Sequence, residues 1–117
     1  MIDIYRIPLT FVFRPGQGWK HSFQVGSSLN GAAPVNWADI TIKGYICNTS
    51  NWATVQKAVS VTNADNGNFE ASLSEADIAA LTAGTSVLVF IYKVAGDANA
   101  YPLGVADVTV TGGLPAW

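Results

Sequence analysis

Apolar and polar residues alternate along most of this chain with a period of two, the pattern of strands buried on one face. The clearest instance runs from Val59 to Leu81. Val59 and Val61 alternate with Ser60 and Thr62, and beyond Asp65-Asn66-Gly67 the residues Phe69, Ala71 and Leu73 alternate with Glu70 and Ser72. Asn and Gly best tolerate the positive φ of a type I′ turn, so these two arms read as a hairpin. Ser74 then stands as an N-cap with Asp77 three residues on, an acidic form of the capping box. Ile78 and Leu81 give the following short helix one apolar edge, and Ala83-Gly84 stops it.

The same pattern places the remaining elements. Residues 2–13 read as extended chain interrupted at Pro8, which removes a ladder donor and so predicts an edge strand or two short strands with a kink. After the turn Arg14–Gly18, Trp19, His21, Phe23 and Val25 share one strand face. A loop from Gly26 to Asn36 leads to a strand over Asp39–Asn48, where Ile40, Ile42 and Ile46 alternate with Thr41, Lys43 and Tyr45 and a bend is expected near Gly44. Trp52–Lys57 reads as a short strand or arm entering Ala58–Asn63. Ser86–Val94 is apolar on both faces, as in a central strand covered on each side. A hairpin loop over residues 95–100 precedes a last strand, Tyr101–Thr111, whose apolar positions shift phase between Val105 and Val108, which predicts a bulge near Ala106-Asp107. Seven or eight short strands, turns at roughly ten-residue spacing and one helical turn predict an all-β fold. The expected architecture is an antiparallel two-sheet β-sandwich; a small jelly roll is the alternative. No repeat or internal boundary is visible, so residues 1–117 form one domain, with 1–13 and 112–117 as candidate arms.

Composition changes the picture in one respect. Hydrophobic residues make up 50% of the chain and charged residues only 12%, about half the usual share for a soluble domain. A chain that spends so few charges on its surface is expected to cover part of that surface with other protein. The candidate contact residues are the apolar ends: Ile2, Ile4 and Tyr5 at the start, and Leu114, Pro115 and Trp117 behind the Gly112-Gly113 lead. The six basic residues are scattered and the net charge is −2, which argues against a nucleic-acid partner. No apolar run approaches the roughly 20 residues of a membrane helix. The start lacks the order of a secretory signal, so the chain is expected to stay in the cytoplasm where it is made unless it leaves inside an assembled particle.

No constellation of residues points to catalysis or to a cofactor. One histidine, His21, and one cysteine, Cys47, cannot furnish a zinc site, and Cys47 on an alternating strand suits a small buried apolar role. Glu70, Glu75 and Asp77 surround one hairpin and helix start, where capping and solubility explain them. Asn48-Thr49-Ser50 matches a glycosylation sequon but carries little weight without a secretory signal. Trp37 and Trp52 flank the Ile40 strand beside polar loops. A pair of aromatic faces would suit a sugar, but tryptophan more often serves core and interface packing.

One resemblance goes further. From the Trp19–Val25 strand onward the chain carries Pro34-Val35-Asn36-Trp37, the alternating strand Asp39–Tyr45, the hairpin Asn66-Gly67-Asn68-Phe69, the turn from Leu73-Ser74 through Asp77 to Leu81, Gly84, and two final strands. In this order, over about residues 17–111, it resembles small tailed-bacteriophage proteins related to the N-terminal domain of upper baseplate proteins. Unlike those, it is expected to stand as a single domain without their long receptor-side extension, and it has an apolar segment over residues 2–13 and the stretch Gly112–Trp117. The resemblance implies an immunoglobulin-like sandwich that helps build virions and catalyses nothing, whether at the head, the neck or the tail. The competing expectation is a carbohydrate-binding module with Trp37 and Trp52 as its platform.

Overall fold

A computed structural model describes residues 5–24, 37–63 and 68–111, with the side chains of residues 5, 6, 8, 37 and 63 outside the description. Ile2, Ile4, Leu114, Pro115 and Trp117 therefore lie outside it, as does the Asp65–Gly67 turn. The elements are β1 (Tyr5–Phe13), β2 (Trp19–Gln24), a 3-10 turn (Trp37–Asp39), β3 (Ile40–Asn48), β4 (Val55–Asn63), β5 (Asn68–Leu73), α1 (Glu75–Ala79), β6 (Gly84–Val94) and β7 (Ala100–Val110). The fold is all-β. Its strands form one seven-stranded sheet in the order β1-β7-β6-β3-β4-β5-β2.

Strand β4 bends this sheet. Its first half pairs with β3, from Val55 opposite Cys47 to Val59 opposite Gly44. Its second half pairs with β5, from Ser60 opposite Ser72 to Asn63 opposite Phe69. The sheet rolls at this strand until its two ends nearly meet. Phe11 and Phe13 of β1 touch Trp19 of β2 at ring-centroid distances of 5.2 and 5.0 Å, although no backbone ladder joins those strands. Across the interior, Phe90 of β6 meets Phe23 at 5.0 Å and Phe69 at 5.1 Å, both edge to face. The core is therefore an aromatic centre wrapped in branched aliphatics, with Ile46, Ala71, Leu88 and Ala106 wholly enclosed.

The period-two pattern located most strands to within two or three residues, and four details differ. First, β1 runs parallel to β7, so the sheet is not wholly antiparallel; a parallel neighbour needs a long crossover, and here the rest of the chain supplies it. Second, from Tyr5 onward the expected N-terminal arm is strand β1, because Phe11 and Phe13 are core residues at 8% and 1% exposure. The ladder breaks between Arg6 and Thr10, on either side of Pro8, and β1 is an edge strand as proline requires. Third, Gly44, where a bend is expected, serves a further purpose within a β3 ladder to β6 that is continuous from Ile40 to Asn48. A Cβ on Gly44 would lie 2.7 Å from Cε1 of Phe90, so glycine is there to make room for a ring. Fourth, the irregularity in β7 lies at Leu103, between Phe90 opposite Gly104 and Ile91 opposite Pro102, and not at Ala106-Asp107.

The helical turn forms as the sequence requires. The Ser74 hydroxyl accepts from the Asp77 amide at 3.1 Å, and the Asp77 carboxylate accepts from the Ser74 amide at 3.2 Å. Ile78, 1% exposed, plugs this end of the core.

Candidate functional site

Each strand of a bent sheet shows one side chain in two to the core and the next to the outside. On β3, β6 and β7 that outward set is unusually apolar. Ladder register places Tyr45 beside Val89 and Cys47 beside Val87, then Val89 beside Val105 and Val87 beside Asp107. Cys47, Val87 and Val105 are only 2–4% exposed, yet none belongs to the main core cluster. They form a second apolar layer on the opposite side of the same strands. Val12 on β1 and Val55 on β4 continue it to either side, each 49% exposed. The two-sided apolar run of Ser86–Val94 was the signal for this layer in the sequence. What it did not show is which neighbours share the face, since that depends on strand order.

Toward the β6–β7 hairpin the outer face becomes polar. Thr41, Lys43, Tyr45, Ile91, Lys93 and Asp97 line an open depression of about 420 Å³. The Asp97 carboxylate accepts from the Asn99 amide at 2.9 Å and from the Tyr101 hydroxyl at 2.8 Å. Those bonds, the backbone one first, hold its pKa below the usual carboxylate value, and the same contact raises the Tyr101 phenol. Lys20 and Lys57 are paired with Glu70 and Asp77 at 3.6 and 3.2 Å. Lys93 adds a weaker electrostatic attraction to the same Asp97 carboxylate.

The tryptophans are not brought together by the backbone. Trp37 begins the 3-10 turn ahead of β3, and Trp52, 36% exposed, follows the end of β3 in the turn before β4. Nine residues of strand, roughly 30 Å, separate the two positions. The side chain of Tyr5 is outside the description, and its backbone pairs with Gly104 as the first residue of β1.

The remaining polar groups are occupied in holding the fold. Gln56 donates through Nε2 to Asn48 Oδ1 and to Ser86 Oγ, both at 2.9 Å, and its Oε1 accepts from the Thr82 amide at 3.1 Å. One side chain on β4 thereby ties β3, β6 and the segment after α1, and it satisfies Ser86, a buried hydroxyl. His21 packs among Phe11, Trp19 and Phe23, at 5.0, 6.4 and 4.7 Å. Burial raises the pKa of the Cys47 thiol, which leaves it a poor nucleophile. Among the described residues, no three His, Cys, Asp or Glu side chains gather as a metal site.

No protein-family model matches the chain, and no curated protein matches it in sequence.

Proposed function

We propose that this chain is a non-enzymatic structural protein of a tailed-bacteriophage virion, acting by surface complementarity with other virion proteins and with further copies of itself. The observation that carries the proposal is the second apolar layer on the outside of the sheet, in a chain of which only 12% is charged. The centre of that layer is enclosed, but Val12 and Val55 at its flanks are each 49% exposed, and apolar surface of this kind is suited to contact with protein. The resemblance to upper baseplate domains supplies the setting. Its quoted turn, Leu73 to Leu81, is the end of β5 with the capped helix α1, and its Gly84, with φ of +118°, opens β6.

The proposed architecture is an immunoglobulin-like two-layer sandwich. Two features support this: β4 passes from one set of partners to the other, and β2 and β5 face β1 and β6 across the aromatic core. The first and last strands lying side by side, parallel, would close one layer, with β7, β6, β3 and the first half of β4.

The direct test is to purify particles from the source of this sequence and measure the chain in them by quantitative mass spectrometry. A fixed stoichiometry per particle is expected. Finding it only in the soluble fraction would overturn the proposal. Removing residues 114–117 is expected to leave the unfolding midpoint unchanged and to lower incorporation; normal incorporation would dismiss the C-terminal arm.

A further inference from the structure

We propose that the open depression beside the β6–β7 hairpin binds the oxyanion of a small ligand, a carboxylate or a phosphate, between Lys43 and Lys93, with the body of the ligand over Tyr45 and Ile91. Such a site works alike inside or outside a particle, so it stands apart from the assembly reading above.

Strand register puts the two lysines on one side of the sheet. Lys43 of β3 lies opposite Ile91 of β6, and Lys93 of β6 lies opposite Thr41 of β3. The lysines are therefore diagonal neighbours on adjacent antiparallel strands, at backbone positions about 7–8 Å apart. Like charges this close on one sheet face repel. An oxyanion set between them replaces that repulsion with two charge-assisted hydrogen bonds. Both side chains are exposed, so neither is needed by the core.

The neighbouring acids leave this charge largely in place. Lys20 and Lys57 are paired with Glu70 and Asp77, but among the described residues no carboxylate comes within ion-pair distance of Lys43. Lys93 feels Asp97 only weakly. That carboxylate is taken up first by the Asn99 amide and then by the Tyr101 hydroxyl, at 2.9 and 2.8 Å, and both lower its pKa more than Lys93 does. Two ammonium groups and one carboxylate give the lining a net charge of +1, in a chain whose net charge is −2.

Shape and the remaining lining set the kind of ligand. The depression measures about 420 Å³, within the roughly 300–1,000 Å³ of small-molecule sites. Tyr45 and Ile91 are half-buried in its wall, a ring and a branched chain that accept a carbon skeleton, and the Thr41 and Tyr45 hydroxyls are further hydrogen-bonding groups. A nucleic acid is a poor fit, because its phosphates call for cations repeated along a face and this depression has two. Both lysines stand on paired strands, so the ladder fixes their spacing before any ligand arrives.

The test is a titration of the isotope-labelled full chain, followed through its backbone amide resonances at constant ionic strength, with inorganic phosphate, glucuronate and glucose as probes. Saturable shifts centred on residues 41–45 and 91–97 are expected for at least one of the two anions and for neither concentration range of glucose. Millimolar binding is expected, as suits charges that stay in contact with water. A response to phosphate alone assigns the oxyanion as phosphate, and a response to glucuronate alone assigns a carboxylate carried on a sugar-sized ring. Lys43→Gln and Lys93→Gln should each weaken binding at least about threefold with the thermal midpoint unchanged. Lys20→Gln, outside the depression, should leave binding as it was. Absence of saturable shifts at tens of millimolar of either anion would overturn the proposal. So would an equal response to glucose, indifference to both lysine variants, or an equal loss in Lys20→Gln, which would make the effect one of general charge.

Discussion

Replacing Gly44 by alanine adds one methyl group to a strand interior where alanine is the better strand residue, and it should nevertheless destabilise the fold. The backbone there is ordinary, so no conformational penalty attaches to the change. The cost is steric. The new Cβ would sit 2.7 and 2.9 Å from Cε1 and Cδ1 of Phe90 and 3.4 Å from Cβ of Val59. Phe90 is 1% exposed and is held edge to face by both Phe23 and Phe69, so its ring cannot swing away without disturbing two others. Overpacking of this kind costs about 1–3 kcal/mol. For a domain of this size, 2 kcal/mol lowers the thermal midpoint by roughly 6–12 °C. The assay is urea unfolding followed by tryptophan fluorescence, with Phe90→Leu and the double variant measured in parallel. Phe90→Leu opens space and is itself destabilising, but Gly44→Ala in that background should cost at least about 1 kcal/mol less than in the wild type, the signature of two sites in contact. A Gly44→Ala protein within about 0.5 kcal/mol of wild type, the ordinary range of harmless surface changes, would refute the steric account. So would strict additivity with Phe90→Leu.

Three further outcomes are expected. Gln56→Ala removes the partner of the buried Ser86 hydroxyl and should cost about 1–3 kcal/mol by chemical unfolding, much of it recovered when Ser86→Ala is added, because the desolvated group is then gone. Asp77 and Asp97 both have lowered pKa values, Asp77 first through its bond from the Ser74 amide and then through Lys57, and Asp97 first through its bond from the Asn99 amide. A carboxyl depressed in the folded state contributes stability above its unfolded pKa and loses that contribution as pH falls through the folded value. The thermal midpoint should therefore drop below about pH 4, and Asp77→Asn with Asp97→Asn should flatten that acid limb; an unchanged limb would show that neither group is responsible. Cys47, 2% exposed with a raised pKa, should resist a thiol reagent in the native protein and react fully in denaturant, as followed by the release of the coloured thiol; prompt native reaction would mean the outer layer opens.

Strand positions were legible because each strand has one face on an aromatic and aliphatic core, which writes a period of two into the sequence. The capped helix was equally legible, since Ser74 and Asp77 satisfy each other's backbone groups within four residues. Register and partners were not. The parallel pairing of β1 with β7 joins residues about a hundred positions apart, and nothing local to Tyr5–Phe13 names its neighbour. The crowding at Gly44 was hidden for a related reason: a glycine in an alternating strand suggests a bend, and nothing nearby in sequence points to the ring of Phe90, 46 residues away and adjacent only through the ladder.

The same limit governs the candidate site, and it bears on what the outer layer is for. A strand apolar on both faces has two physical explanations, a second layer of its own chain or a surface of another. Phe90, Leu88 and Tyr92 account for one side of β6, since β5 and β2 lie across from them. Val87 and Val89 on the other side have no strand of the described chain above them. If apolar pattern alone had been selected to drive strand formation, polar residues of high strand propensity, threonine above all, would have served on that side at less risk of aggregation. They do appear there, as Thr41, Thr85 and Thr109, the last directly beside Val12 in the ladder. Val87 and Val105, at 4% and 2% exposure, are already enclosed, so the apolar surface this side leaves for a neighbour is at its flanks, Val12 and Val55, each 49% exposed.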